Sequence, residues 1–411
     1  MREMRFPEHV PCSMKRSRSQ IAKSFSYTPA LTPPQEPHMT RIMTRTFFPV
    51  GNGIFCLERF ENRHAVVYDC GSASKRVIKR RVDELADRNG IDGIDVIDYV
   101  FVSHFHEDHV NGLPALLEKF DVRRVIMPLM SEEDRYLLWL GRQLRKPQPN
   151  VIPDFDSGDF VDKLILDPVG TVRRYNEGTE ASFVEPPVER ASRNIAPTEN
   201  AGERPFRVSG MPKTQEAQQN RVIKGEITLK AGGPGKCWRY APFTIRYAEK
   251  SDKLKQGLAE LGIESDTDIV NYVERRGHKD IKDVYKKVTG GQLNLYSMAV
   301  YSHSPRTDLR QRAEPCAAGT SWYRERIANR ELKAPCLYLG DYEAKEDENW
   351  NSLDGHLRAK ANWSSLDGLG CLQVPHHGSH RNFTGTNSSR RASCPSSPRA
   401  LAVTTRRTRC S

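Results

Sequence analysis

The hexapeptide His104-Phe105-His106-Glu107-Asp108-His109 stands directly behind Ser103 and the apolar run Val96-Ile97-Asp98-Tyr99-Val100-Phe101-Val102. A short apolar run rich in β-branched and aromatic residues reads as a buried strand. The histidines therefore lie at a strand's mouth, where imidazoles and carboxylates together are the donor set of a metal site. A solvated loop with chance histidines is the plainer reading, but three of the chain's 12 histidines fall within these six positions. Alternate residues of an extended segment point the same way, so His104, His106 and Asp108 are expected to converge. His109 then faces differently, which suits a second metal a few ångströms away. The motif is a hypothesis that needs the strand–loop context around it.

Charge bears on what such a site would meet. The net charge of +11 belongs to the ends: residues 1–45 contribute +5 and residues 381–411 contribute +7, which leaves −1 for residues 46–380. Basic tails strengthen nonspecific phosphate binding, yet segments rich in Pro, Ser, Arg and Lys without periodicity are more often simply disordered. The expected organisation is a disordered basic tail over 1–45, one body over 46–380 and an irregular basic tail over 381–411. Nine cysteines without a C-x-x-C pair fit reduced thiols and a cytoplasmic setting. No run is long and apolar enough to span a bilayer, and the N-terminus lacks an apolar signal core, so no membrane partner is expected. Oligomeric state is not legible.

Within the body, Ile78, Val82 and Leu85 recur at helical spacing between Ser74 and Asn89, and Gly90 is a natural stop. Strand 96–102, a short helix around 112–120 and strand 122–127 follow in β-α-β order, which predicts layered sheet and helix. Tyr136, Leu137, Trp139, Leu140 and Leu144 mark a helix over 131–146. From 147 to 235 the pattern dissolves into Pro, Gly, Asn and charge, and reads as irregular. Gly232-Gly233-Pro234-Gly235-Lys236 is no phosphate loop, because the earlier glycine is missing and Cys237 replaces the magnesium-binding hydroxyl. Residues 236–248 read as a strand, with helical patterns between 251 and 287. Asn349-Trp350-Asn351-Ser352-Leu353-Asp354-Gly355 recurs as Asn362-Trp363-Ser364-Ser365-Leu366-Asp367-Gly368, too short for a solenoid, and its tryptophans read as packing anchors.

The H-x-H-x-D-H motif behind a strand resembles the metallo-β-lactamase superfamily. Val50-Gly51-Asn52-Gly53 with Ile54–Leu57 and Ala65–Gly71 is similar to that family's opening hairpin, which ends in an aspartate, here Asp69. Leu337-Tyr338-Leu339-Gly340-Asp341 is similar to its later strand-Gly-Asp element. Leu372-Gln373-Val374-Pro375-His376-His377-Gly378-Ser379 resembles the H-H-G-S signature of one branch, typified by the metallo-domain of DNA-uptake competence proteins and by phosphorylcholine esterase-like hydrolases. Asn294–Val300 is similar to that branch's N-x-x-S strand. After the signature the chain departs from the branch, for Thr384–Ser411 lacks strand alternation.

The resemblance implies an α/β fold, an αββα sandwich over 46–380 with the 147–235 insertion. It implies two divalent metal ions, zinc or manganese with magnesium a third option, and a metal-activated hydroxide as nucleophile. His104 and His106 would hold one ion, Asp108 and His109 the other; Asp341 would bridge them and His376 would complete the second site. Asp108 and His377 carry the catalytic expectation, His377 by contacting substrate or orienting a neighbour. Asp69, Asn294 and Ser297 would stand behind the ligands. Three readings stay open: a phosphodiesterase or nuclease acting on a small-molecule or nucleic-acid phosphodiester, a hydrolase of a small ester or phosphocholine-like substrate, and an inactive relative that only binds.

Overall fold

A computed structural model describes residues 43–375 and 401–403, apart from 88–92, 154–157, 188–205, 209–220, 231–236, 290–293, 306–309, 313–330, 334, 346, 362 and 364. The first part of the chain gives β1 (Met43–Phe47), β2 (Phe55–Phe60), β3 (His64–Cys70), α1 (Lys75–Asp87), β4 (Val96–Phe101), α2 (Glu107–Val110), α3 (Leu113–Lys119), β5 (Val122–Pro128) and α4 (Glu132–Gln143). Next come α5 (Phe160–Leu166), α6 (Pro168–Tyr175), β6 (Glu180–Val184), β7 (Val222–Ile223), β8 (Ile227–Lys230) and β9 (Cys237–Arg246). Then follow α7 (Ala248–Ala259), α8 (Asp266–Arg276), α9 (Lys279–Thr289), β10 (Tyr296–His303), β11 (Arg310–Arg312) and β12 (Glu331–Lys333). Last are β13 (Cys336–Tyr338), α10 (Asp347–Lys360), β14 (Cys371–Gln373) and β15 (Leu401–Val403).

Side-chain alternation along the central strands sets the layer order. On β3, Ala65 and Val67 face a cluster shared with helices α1, α3, α4 and α5, while Val66 and Tyr68 face a second cluster. That second cluster is filled from the other sheet by Trp238, Tyr240, Met298, Val300 and Tyr338. On β10 the intervening Ala299 and Tyr301 turn outward onto Trp350, Leu353 and Leu357 of α10. Period-two strands buried on both faces force this arrangement of helix, sheet, sheet and helix. The expected αββα sandwich is the observed fold. Helices α7, α8 and α9 join the first helical layer through Leu254, Leu258, Ile269 and Ile281.

Among the described residues the first sheet runs β1-β2-β3-β4-β5-β6-β7, antiparallel through β3 and parallel from β3 to β7. The second runs β15-β14-β13-β10-β9-β8, parallel from β13 to β15 and antiparallel elsewhere. No helix among the described residues is long and apolar enough to cross a membrane.

The element pattern differs from expectation in three places. Strand β1 begins at Met43, inside the stretch read as tail, because Met43 packs into the inter-sheet layer. The 147–235 stretch is not irregular throughout: Asp159 and Asp167 cap α5 and α6 by accepting from Asp162 N and Gly170 N, and β6 pairs with β5. Short capped helices of seven or eight residues carry too few turns for periodicity to show. In the stretch read as an irregular C-terminal tail, Leu401–Val403 pairs in parallel with β14.

One buried ion pair joins neighbouring strands of the first sheet and is reached by donors from the second. Arg45 Nη2 lies 2.6 Å from Glu58 Oε1. Tyr240 and Tyr338 donate to the same carboxylate at 2.6 and 2.7 Å, and Ser302 Oγ donates at 2.8 Å. Burial alone would lower the Arg45 pKa, but Glu58 and then Tyr338 outweigh it and hold the guanidinium well above its ordinary value.

Candidate metal centre

Strand β4 delivers the ligand loop at the carboxyl end of a parallel pair, where open α/β sheets characteristically place their sites. Val102 N still pairs with Ile126 O at 2.9 Å, and the chain then leaves the sheet at Ser103. The extended stretch ends at His106, which has φ −75° and ψ 149° and precedes the four-residue helix α2. Asp108 and His109 therefore stand on a helical turn, not on a continued strand. This corrects the alternation expected for Asp108 and explains how His109 comes to share a face with His104. The turn packs tightly on the β2–β3 hairpin: Asp108 O accepts from Ile54 N at 3.3 Å, and a Cβ at Gly71 would lie 2.4 Å from that same oxygen.

Asp69 organises the loop from behind. Its Oδ1 accepts from Ser103 N at 2.7 Å and its Oδ2 from Ser103 Oγ at 2.7 Å. Oδ2 also lies 2.7 Å from His109 Nδ1. Asp69 is fully buried and holds φ +51°, a left-handed conformation that a non-glycine residue adopts at a cost. With Nδ1 of His109 engaged by a carboxylate, Nε2 is the ring atom that faces forward, the usual orientation device for a ligating imidazole.

Asp341 arrives from the second sheet. After β13, Gly340 turns the chain at φ +54°, and a Cβ there would sit 2.5 Å from Ser103 Cβ. Gln373, at the end of β14, fixes this turn: its Oε1 accepts from Leu339 N at 2.8 Å and Gly340 N at 2.7 Å, while its Nε2 donates to Val374 O at 2.6 Å. Across the sheets, Met298 N donates to Ser103 O at 2.8 Å and Tyr68 OH to Met298 O at 2.9 Å, so the two halves of the site are stitched together.

The donor atoms converge. His104 Nε2 is 3.3 Å and His106 Nδ1 3.9 Å from Asp341 Oδ2, and His109 Nε2 is 3.4 Å from Asp341 Oδ1. His104 Nε2 and His106 Nδ1 are 3.0 Å apart, and the ligating atoms of His104, His106 and Asp341 all lie within 4.8 Å of one another. Two ligands about 2.1 Å from a tetrahedral ion stand roughly 3.4 Å apart. The spacing and the imidazole–carboxylate donor set both fit a divalent ion.

Protonation favours the same use. Burial and then His104 push His106 down to about 3, and burial and then His109 lower His104, so both rings are neutral, the form that ligates. Burial would lower His109 too, but Asp341 and then Asp69 raise it well above its ordinary value. Burial opposes ionisation of Asp341, yet His104 and His109 hold its carboxyl well below the usual range. A proton on His109 and a metal are thus alternative occupants facing one carboxylate.

A cavity of about 600 Å³ opens from this cluster, lined by His106, Asp108 and Asp341 and by Arg142, Arg145 and Lys146 with Glu107 and Asp159. Arg142 Nη2 donates to Glu107 Oε1 at 2.7 Å and Asp159 Oδ2 at 2.6 Å, and its Nε to Asp162 Oδ1 at 2.8 Å. Lys146 Nζ donates to Asp162 Oδ2 at 2.8 Å.

Of the residues singled out in the sequence, the structure brings together His104, His106, His109, Asp341 and Asp69, and sets Asp108 on the same cavity wall. Among the described residues no hydrogen bond joins Asn294 or Ser297 to the histidines; Ser297 is buried within β10 and Asn294 precedes that strand. His376 and His377 lie outside the described residues, although Val374 and Pro375 before them are described. His303 ends β10 with its Nε2 2.7 Å from Glu226 Oε1, in a pair of its own. Ser103, Gln373 and the cationic wall were not singled out. Gln373 carried one signal: an amide between the apolar residues of a buried strand must spend its hydrogen bonds locally.

Residues 57–189 match the family model of the metallo-beta-lactamase superfamily. The matched stretch contains Asp69 and the whole His104–His109 loop and ends well before Asp341. That superfamily consists mostly of hydrolases and typically binds divalent metals. No curated protein matches the chain.

Proposed function

We propose that this protein is a metal-dependent hydrolase of phosphodiesters. One observation carries the reading: the His104–His106–His109–Asp341 cluster opens onto a cavity that Arg142, Arg145 and Lys146 also line. Two divalent ions, zinc or manganese, would be held by His104, His106, Asp108, His109 and Asp341, with His376 as a further ligand. Such ions supply a hydroxide at neutral pH and stabilise charge on the departing oxygen.

The chain's own residues do the rest. Asp69 keeps the His109 Nε2 face forward, and Gln373 sets the turn that presents Asp341. Asp108 lines the cavity beside His106, where it can accept a proton from the attacking water or hold an ion. The cations that line the cavity give an anionic phosphate a counter-charge that a neutral ester would not use. The branch carrying the H-H-G-S signature, with His377 touching substrate, belongs to the same proposal.

The test is a metal-supplemented screen of the full chain against bis-p-nitrophenyl phosphate, single-stranded DNA, RNA and p-nitrophenyl acetate, beside metal analysis of the purified protein. Hydrolysis of a phosphodiester with about two bound ions is expected. Cleavage of the acetate alone would replace the substrate class with small esters. Bound metal with no turnover of any substrate would favour a binding role.

A further inference from the structure

The three cations on the cavity wall are not equivalent. Arg142 is committed to Glu107, Asp159 and Asp162, and its side chain is only 12% exposed. Lys146 shares Asp162. Arg145 lies between them in sequence, just past the C-cap of α4, with its backbone N–H bonded to Arg142 O at 3.3 Å. Among the described residues no carboxylate comes within ion-pairing distance of the Arg145 guanidinium, which is exposed and lines the same cavity as His106, Asp108 and Asp341. Glu107, Asp159 and Asp162 are paired with Arg142 and Lys146, and Glu107 and Asp108 act on Arg145 only from beyond ion-pairing distance, so its guanidinium keeps its donors for the cavity it lines.

We propose that Arg145 is the substrate-recognition residue of this site, donating to an anionic oxygen of a phosphodiester seated between it and the metal cluster. The inference rests on the hydrolase reading and deepens it by naming which residue confers preference for anionic over neutral esters. A guanidinium suits the task because its planar fork of donors matches paired phosphate oxygens. A cavity of about 600 Å³ falls within the size range of small-ligand sites. Arg142 serves as a positioning residue: it ties Glu107, next to ligand His106, to the cap of α5, and its like charge disfavours Arg145 folding back onto Glu107.

The experiment uses the full metal-loaded chain, with Arg145→Gln and Arg145→Lys beside the parent protein. Three quantities are read: inorganic phosphate affinity by calorimetry, KM for bis-p-nitrophenyl phosphate against p-nitrophenyl acetate, and metal content. Arg145→Gln should weaken phosphate binding and raise the diester KM by about ten-fold or more, the scale of one charged hydrogen bond. The acetate KM and bound metal should not change, and Arg145→Lys should recover part of the loss. Unchanged phosphate affinity in Arg145→Gln overturns the proposal, as does an equal rise in KM for the neutral ester. Absence of diester turnover in the parent protein would sink the hydrolase reading separately, because phosphate calorimetry still tests Arg145.

Discussion

Two carboxylates sit buried between the same two sheets, and their surroundings differ in kind. Glu58 is closed in by protein donors at 2.6–2.9 Å: Arg45, Tyr240, Tyr338 and Ser302. Asp341 faces three imidazole nitrogens set back at 3.3, 3.4 and 3.9 Å. The first spacing is that of ordinary hydrogen bonds; the second exceeds it and matches ligands around an ion. Glu58 is thus satisfied by the fold itself, whereas the spacing of His104, His106 and His109 about Asp341 is that of donors arranged around an ion. A sealed polar network fixes the mating of two sheets, and a set-back one is a site.

The largest expected effect comes from breaking the set-back cluster. His106→Ala should remove at least one bound metal equivalent and all detectable hydrolysis while leaving the thermal unfolding of the metal-free protein little changed, read by metal analysis and calorimetry. Retained metal with full activity would refute the centre. The sealed network should behave in the opposite way. Glu58→Ala strands a buried guanidinium and should cost about 3–5 kcal/mol in denaturant unfolding, with metal still bound by the folded fraction. Replacing both partners, Arg45→Met with Glu58→Leu, should restore much of that loss. If the double variant is as damaged as the single one, Glu58 has a role beyond pairing.

Gln373 lies between the two kinds of network, structural in itself but aimed at the turn that presents Asp341. Gln373→Leu keeps the volume and removes both acceptor bonds to the Asp341 turn. Metal affinity should fall roughly 10- to 100-fold, the usual cost of losing a group that orients a ligand, and a titration with a metal-sensitive dye would read it. A purely structural Gln373 would lower stability and leave affinity alone.

The smallest effect concerns a second sealed carboxylate, Asp134. Arg246, Ser251 and Tyr296 donate to it at 2.9, 2.6 and 2.7 Å. Burial alone would raise its pKa, but Arg246 and these hydrogen bonds hold it below the ordinary carboxyl value. Its contribution is therefore present above the unfolded pKa of about 3.9 and is lost as pH falls through the lower folded value. The melting-temperature gap between the parent protein and Asp134→Asn should be widest near neutrality and should narrow below about pH 4. A gap that widens in acid would reverse the sign.

Much of the fold was legible because its signals are local. The apolar run 96–102, the β-α-β order after it and the helix over 131–146 all appear as β4, α3, β5 and α4 within a few residues. Strand β6 and helices α5 and α6 were hidden because each is short and takes its burial from neighbours distant in sequence. The paired Trp phrases fell into different settings: Trp350 lies in α10, while Trp363 follows that helix and packs edge-on against Tyr301. Both are buried anchors, as read.

What the sequence determined alone was the ligand loop, since its donors lie within six consecutive positions and the strand before them sets where they emerge. Asp69 and Asp341 were marked only through the family resemblance, Asp69 at the end of the opening hairpin and Asp341 behind a strand and glycine. Only the tertiary structure decided that Asp341 meets the histidines, that Asp108 stands on a helical turn, and that Gln373 and Arg145 bear on the same cavity. The reason is physical: a strand's alternation fixes the face on which a side chain appears, but the packing of two sheets fixes which faces meet.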